Sequence, residues 1–327
     1  MIRNAQKEDK ENITKNGIIS SEFIEHKKQI LSIASRNYIS KLMEFEIPRI
    51  NDDIAIQAFI EEKMEHMQGV VYLQKGCCKG YLLYQLWEED NILHCNIPIW
   101  GYGAEGEDRT KIVSLLFQEL AGQLVNGKVV SFSVHIYAQD LEIQRLFSYM
   151  EFGIQAETGV RLLQKNDITK EYCIRKIEVS EIGKRWSEIW ALLSKLIMHL
   201  KESPIFYPGN EFTEDVYKEF FEDEDTNVFI AEENGRIIGV IETNPERNEF
   251  IFGKEESANV GEAFVLPEYR GTKLAESLLF YAENELLMKQ CSYEWVEHGT
   301  ANPNARGFWN KYFSTYEYEF VRCIGGI

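Results

Sequence analysis

The segment of this chain whose residue types and spacing best suit a functional site is 260–275, which reads VGEAFVLPEYRGTKLA. The pattern predicts a strand, a turn bounded by Pro267 and a loop that contains Arg270 and Gly271, followed by the amphipathic helical sequence ESLLFYAENELL. A loop that leads into a helix offers unpaired backbone N–H groups and the positive end of the helix dipole. A diphosphate is the natural ligand of such a place, and Arg270 and Lys273 would add positive charge beside it.

A second glycine-rich segment lies earlier in the chain. Gly101, Gly103 and Gly106 form the pattern G-x-G-x-x-G between a predicted strand and a predicted helix, which alone is typical of dinucleotide binding. However, the sequence AEGEDR (104–109) sets three acidic side chains against one arginine, and these would repel a pyrophosphate. The flanking pattern is also rich in hairpins, so we do not expect a nicotinamide dinucleotide here.

The elements around both loops form a repeat. The helical sequence TKIVSLLFQELAGQL begins at Thr110 and TKLAESLLFYAENEL begins at Thr272, and matched elements lie 161 to 163 residues apart. In each copy a hairpin and a strand precede this helix, and a strand, an aromatic-rich helix and a last strand follow it. The turn ENGR of the second hairpin contains an Asn-Gly pair, which favours a tight hairpin. The sequence therefore predicts two copies of one α/β unit, each about 150 residues long.

The expected domain limits follow from this repeat. We expect a flexible leader in residues 1–20, which are polar and rich in lysine, a first domain in residues 21–165 and a second in residues 172–327. The polar sequence QKNDITKE (164–171) is the expected linker.

Charge and composition restrict the partners and the compartment. The net charge of −18 is uneven, since residues 1–166 carry −5 and residues 167–327 carry −13. Such a surface would repel nucleic acids and anionic membranes, and it would tolerate or attract a cationic amine. The alternative is that the charge serves only solubility. The six cysteines show no paired CxxC spacing, so no metal site is predicted. No apolar run approaches the roughly 20 residues that span a bilayer, and residues 1–20 lack a secretion signal, so we expect a cytoplasmic protein.

Taken together, these motifs resemble the GCN5-related N-acetyltransferase (GNAT) superfamily in a tandem, two-domain arrangement. In that family the strand ending V-x-P-E-Y-R-G leads into the loop Q/R-x-x-G-x-G/A, and residues 265–271 read VLPEYRG. Arg270 and Ala275 match the first and last positions of the loop, and Lys273 replaces its glycine. Near the C-terminus the family pattern N-x-x-A-x-x-L/F-Y-x-K is matched by Asn302, Ala305, Phe308, Trp309 and Lys311.

The resemblance implies a fold, a donor and a set of binding residues. The fold is of the α+β type within the α/β class, with two tandem units, each a mixed, mostly antiparallel sheet with helices on both faces. The donor is acetyl-CoA, and the acceptor is a primary amine of a small molecule or peptide. The implied contacts to acetyl-CoA are made by Phe264, Val265, Arg270, Gly271, Thr272, Lys273, Leu274, Ala275, Asn302 and Trp309. The first copy, acidic at the matched loop, is expected to be degenerate.

The resemblance also suggests catalytic residues. Acetyl transfer needs a neutral amine, and Glu262, on the strand beside the thioester, is the expected proton acceptor. Further candidates on neighbouring strands are Glu242, Glu294, Glu297 and His298. The family often uses a tyrosine on the last helix as proton donor to the thiolate. Trp309 holds that place here, so Tyr312, one turn later, is the expected substitute.

Two other functions fit the same pattern. The first is an acyl or aminoacyl transferase of the same fold, which differs in its donor. The second is a non-catalytic protein that binds acyl-CoA, a reading favoured by the departures at Lys273 and Trp309. The sequence SPIFYPG (203–209), with aromatic side chains between two prolines, is a candidate lining of the acceptor pocket.

Overall fold

The computed structural model describes residues 18–89, 92–167, 171–207, 212–246, 249–252 and 256–324. The chain forms two compact units. Unit 1 comprises Met1–Gln155 and Tyr316–Ile327, and unit 2 comprises Ala156–Thr315. None of the helices in the described ranges combines the length and the apolar character that a bilayer crossing requires.

The elements alternate as the repeat predicts. In chain order the strands are β1 Ile18–Ser20, β2 Gln68–Gln74, β3 Cys77–Glu89, β4 Ile92–Ile97, β5 Tyr102–Ala104, β6 Val129–Tyr137, β7 Gly153–Leu162, β8 Cys173–Lys176, β9 Asn227–Glu233, β10 Arg236–Asn244, β11 Ser257–Val265, β12 Tyr293–Gly299 and β13 Ser314–Cys323. The α-helices are α1 Lys27–Leu42, α2 Asp53–Met64, α3 Arg109–Asn126, α4 Leu141–Tyr149, α5 Val179–Lys201, α6 Glu214–Phe221, α7 Leu274–Met288 and α8 Pro303–Tyr312.

Unit 2 is built on a mixed, mostly antiparallel sheet in the order β7-β12-β11-β10-β9-β8. Neighbouring strands pair antiparallel except β11 and β12, which pair parallel. Helix α5 buries an apolar stripe that includes Trp186, Ile189 and Leu193 against the β-sheet core. Helices α7 and α8 add Leu278 and Trp309 to the same core. The sheet and this core therefore position β11 and α7, which flank the predicted diphosphate-binding loop.

Unit 1 has the corresponding arrangement, in the order β1-β2-β3-β4-β6-β13, with β5 paired to β3. Strands β4 and β6 pair parallel, as β11 and β12 do in unit 2. The hairpin β2–β3 and helix α3 correspond in order to the hairpin β9–β10 and helix α7. The two units therefore confirm the predicted fold class.

The limits of the units differ from the predicted domains 21–165 and 172–327. Strand β7, from the first half of the sequence, pairs with β12 from Leu162↔Tyr293 to Ala156↔Gly299. Strand β13, from the end of the second half, pairs with β6 in unit 1. Each copy thus gives its last strand to the other unit, because pairing between strands distant in sequence decides where a strand lies.

The predicted leader and linker are also only partly described. Residues 18–20 form β1, which pairs antiparallel with β2 from Ile18↔Leu73 to Ser20↔Val71, so this end of the leader is structured. The other leader residues, 1–17, lie outside the described part of the chain. In the linker, Asn166 donates its backbone N–H to the side chain of Asn284.

Candidate functional site

A cavity of about 350 Å³ lies in unit 2, walled by β11, the start of α7, helix α8 and the last turn of α5. Most of the predicted binding residues line it, together with the predicted proton donor: Phe264, Val265, Arg270, Gly271, Thr272, Ala275, Asn302, Trp309 and Tyr312. Two predicted binding residues do not. Lys273 is exposed at the N-cap of α7, and Leu274 is fully buried in the core.

One wall of the cavity is the edge of β11. Its parallel pairing with β12 joins Ser257, Ala258 and Asn259 to residues 293–295 and stops there, although β11 continues to Val265. The opposite edge of β11 remains paired with β10, with Phe264 opposite Val240. Beyond Asn259, the edge facing β12 has no strand partner within the described residues. It can therefore offer main-chain donors and acceptors to an extended ligand.

The start of α7 supplies an anion-binding geometry. Gly271 has φ +77°, a conformation that suits glycine. The N-cap of α7 makes no side-chain capping hydrogen bond. Within the described residues, four backbone N–H groups in this turn have no acceptor, namely those of Gly271, Lys273, Ala275 and Glu276. Free N–H groups at the positive end of a helix attract a phosphate.

Other side chains complete this end of the cavity. The Arg270 guanidinium lies 5.6 Å from the centre of the Phe264 ring and brings positive charge to the rim. Asn302 caps α8, since its Oδ1 accepts from the N–H groups of Asn304 at 3.2 Å and Ala305 at 3.3 Å. Trp309 is buried and packs edge-on against Phe308, so it forms an apolar wall.

Tyr312 lies in a compact polar cluster on the cavity wall. Its hydroxyl donates to Glu276 and accepts from Lys311 Nζ at 2.7 Å, and Lys311 also binds Glu276 at 3.0 Å. The hydrogen bonds from Tyr312 and Lys311 lower the pKa of Glu276. Burial, followed by the hydrogen bond to Glu276, raises the pKa of Tyr312. The tyrosine is therefore protonated at neutral pH and can act as a donor.

Glu262, the predicted proton acceptor, does not line the cavity. Its Oε1 accepts from the Tyr217 hydroxyl at 2.8 Å, and its backbone N–H donates to Glu242 Oε1 at 2.9 Å. Burial raises the pKa of Glu262, and it raises the pKa of Glu242 to about 8. The strand register shifts between Ile241 and Thr243, so β11 bulges here and the regular alternation of side chains between the two faces is interrupted.

The remaining carboxylate and histidine candidates also lie off the cavity. Glu294 is buried beside Glu283, and burial followed by the charge of Glu283 raises its pKa well above the usual range. Glu297 is exposed. His298 lies 4.0 Å from Glu157 on β7, and burial lowers its pKa.

The cavity wall also includes residues that the sequence did not suggest, among them Glu276 and His199, which lies in the last turn of α5. Its position ends an apolar helical stripe, and nothing in the local pattern distinguishes it. Within the predicted acceptor segment 203–209, residues 203–207 do not line the cavity, and residues 208 and 209 lie outside the described part of the chain.

The matched place in unit 1 is filled by ion pairs. Asp140 precedes α4 as Asn302 precedes α8, and it is 1% exposed. Its carboxylate pairs with Arg109 at the start of α3. The Tyr102 hydroxyl also donates to Asp140, at 3.2 Å. Glu105 pairs with Arg36 and Lys79. The basic groups at this loop are thus already engaged by carboxylates.

Known proteins share this fold and part of this sequence. One similar solved structure is a GCN5-related N-acetyltransferase from Sphaerobacter thermophilus, at 11% identity and a TM-score of 0.52, covering 83% of this chain and 87% of that one. Residues 194–314 match the model of the Acetyltransferase (GNAT) family. This part of the chain therefore belongs to the GNAT acetyltransferases, and the cavity lies largely within it.

Two further solved structures are similar at lower scores. A tandem GNAT protein from the clavulanic acid biosynthesis pathway has 13% identity and a TM-score of 0.49, covering 95% of this chain and 98% of that one. The GCN5-related glucosamine N-acetyltransferase region of a fungal multi-domain GH3 β-N-acetylglucosaminidase has 15% identity and a TM-score of 0.48. That match covers 81% of this chain, which spans 34% of the fungal chain's length. No curated protein matches the chain.

Proposed function

We propose that unit 2 is an N-acetyltransferase that moves the acetyl group of acetyl-CoA to a primary amine. The observation that carries this proposal is the uncapped start of α7, where free N–H groups and Gly271 face the same cavity as the unpaired edge of β11. The first feature suits a diphosphate, and the second suits the amide-containing arm of CoA.

The assignment of contacts follows from the cavity wall. The N–H groups of the turn 271–276 would hold the pyrophosphate, with Arg270 adding charge at the rim. The main chain of Phe264 and Val265 would bind the pantetheine arm, and Asn302 and Trp309 would bound it from α8. The side chain of Lys273 is exposed and would contribute charge beside its backbone N–H, and the buried side chain of Leu274 would make no contact with the ligand.

Acetyl-CoA supplies an activated thioester, so a neutral amine can attack directly and no covalent enzyme intermediate is needed. Tyr312 is the proposed proton donor to the departing thiolate. Its hydroxyl is held by Glu276 and receives a hydrogen bond from Lys311, which can return the proton. Tyr312→Phe should therefore lower kcat while acetyl-CoA binds with unchanged affinity.

The test is amine-dependent release of free CoA thiol from acetyl-CoA, measured over a panel of alkylamines, polyamines, amino sugars and lysine peptides. Thiol release with at least one class of amine supports the transferase. If acetyl-CoA binds but no amine releases thiol, the alternative of a non-catalytic acyl-CoA-binding protein stands instead. Faster release from a longer acyl-CoA would indicate a different acyl transferase.

A further inference from the structure

We propose that His199 takes the proton from the acceptor amine, an assignment that rests on the proposed transferase function. Six side chains on the cavity wall are titratable: His199, Tyr269, Arg270, Glu276, Lys311 and Tyr312. The base must be one of these groups that can accept a proton near the unpaired edge of β11.

Five of the six are engaged or unsuited. Arg270 and Lys311 are cations with no acceptor site. Glu276 already accepts from Lys311 and Tyr312, and these bonds lower its pKa and weaken it as a base. Tyr312 is a donor in the same cluster, and the hydroxyl of Tyr269 donates to Glu233.

His199 differs from these five. Its imidazole Nε2 is buried and has no hydrogen-bond partner within the described residues. The ring shares the cavity wall with Leu196 of its own helix, with Val240 of β10 and with Ala263 of β11. An imidazole in such a place is a base that no carboxylate or cation of the wall has already claimed.

Glu262 is the rival for this role, and its contacts count against it. Its carboxylate is held by Tyr217 of α6 and lies off the cavity wall. The backbone of Glu262 is fixed by Glu242 through the bulge. Its structural task is to tie α6 to β11, whereas His199 lines the space in which the amine must approach the thioester.

The reaction balances with one proton acceptor. The ammonium gives a proton to the imidazole, and the free amine lone pair attacks the thioester carbonyl carbon. The C–N bond forms as the C–S bond breaks, and the electron pair leaves with the CoA sulfur. Tyr312 protonates that sulfur and is reprotonated through Lys311, while His199 returns its proton to water.

The test compares the variants His199→Gln, His199→Ala and Glu262→Gln with His66→Gln, which makes the same change at an exposed histidine of unit 1. The assay is thiol release with the amine that the wild-type protein uses best, and acetyl-CoA affinity is measured by calorimetry on every variant. We expect His199→Gln to lower kcat by about 100-fold or more, the usual contribution of a general base, with acetyl-CoA affinity unchanged. Added imidazole should partly restore His199→Ala, which a purely structural role would not allow.

Three results would overturn the assignment. Wild-type turnover by both His199 variants would remove the histidine from the reaction. A large loss in Glu262→Gln together with near-normal His199→Gln would return the role to the glutamate. A wild-type protein that binds acetyl-CoA but acetylates no amine would overturn the underlying transferase function, which is a separate failure because it appears before any variant is compared.

Discussion

The buried carboxyl of Glu242 leads to a quantitative prediction about stability. It is 1% exposed, and its contacts are the Glu262 N–H at 2.9 Å and the Asn244 amide at 3.3 Å. Burial is the main cause that raises its pKa from the ordinary value of 4.5 to about 8, and the charges of Glu262 and Glu246 act in the same direction. The perturbation is Glu242→Gln, which keeps the shape and removes the titration.

The sign follows from proton binding. Between pH 4.5 and about 8 the folded state holds a proton that the unfolded state has released, so stability falls as pH rises through this window. Below the window this contribution is fully present, and above it the contribution is lost. A pKa change from 4.5 to about 8 corresponds to roughly 5 kcal/mol, an upper value for the whole effect. Glu242→Gln should therefore gain stability relative to wild type as pH rises.

The assay is urea unfolding at pH 5, 7 and 9, followed by tryptophan fluorescence. Four of the six tryptophans lie in unit 2, namely Trp186, Trp190, Trp295 and Trp309. Glu224→Gln, at an exposed carboxylate, is the matched control and should run parallel to wild type. The reasoning is refuted if the free energies of unfolding of wild type and Glu242→Gln also run parallel between pH 5 and pH 9, because Glu242 would then be an ordinary carboxylate.

Three further predictions concern close packing and buried polar contacts in the two units. A Cβ at Gly261 would lie 1.9 Å from Glu242 Oε1, so Gly261→Ala should destabilise unit 2 by about 1–3 kcal/mol, measured as a lower urea midpoint; an unchanged midpoint would contradict the close approach. Asn302→Ala removes the cap of α8 and should cost about 1 kcal/mol in thermal unfolding, with Asn304→Ala, at an exposed position, as the control. Asp140→Asn removes the buried charge that pairs with Arg109 and should destabilise unit 1 by about 3–5 kcal/mol. The affinity for acetyl-CoA should stay unchanged. A change in that affinity would show that unit 1 takes part in binding.

The order of elements around the proposed diphosphate-binding loop could be predicted from sequence because its signals are local. A strand, a proline turn, a glycine and an amphipathic helix follow one another within residues 260–288, and the structure keeps that order. Gly271 adopts the positive φ that the turn requires, and the side chain of Lys273 is exposed. The loop therefore accommodates the lysine that replaces the family's glycine.

The features that the sequence missed are nonlocal. The exchange of β7 and β13 depends on which strand edges meet, and the alternation of apolar residues carries no information about the partner. The bulge of β11 beside Glu262 depends on the pairing with β10, and the Glu262 carboxylate binds Tyr217 rather than lining the cavity. His199 enters the cavity because α5 ends beside β10 and β11, which only the packed structure reveals.

The structure also identifies a matched control in unit 1 for a substitution at Gly271. A Cβ at Gly103 would lie 2.8 Å from both Asn37 and Tyr81, so a substitution there would disturb the core of unit 1. Gly106, by contrast, has φ +86° and open space around its Cα, as Gly271 does at φ +77°. Glutamate at either position brings the same strain and the same charge, one in each unit.

The central claim is that one site, at the start of α7, binds acetyl-CoA. The most direct measurement is calorimetric titration of acetyl-CoA into the wild-type protein, Gly271→Glu and Gly106→Glu, with NAD as the comparison ligand. We predict one acetyl-CoA site per chain and no NAD binding. That site should weaken at least tenfold in Gly271→Glu and remain unchanged in Gly106→Glu. Equal losses in both variants, two sites per chain, or no acetyl-CoA binding by the wild-type protein would contradict the account.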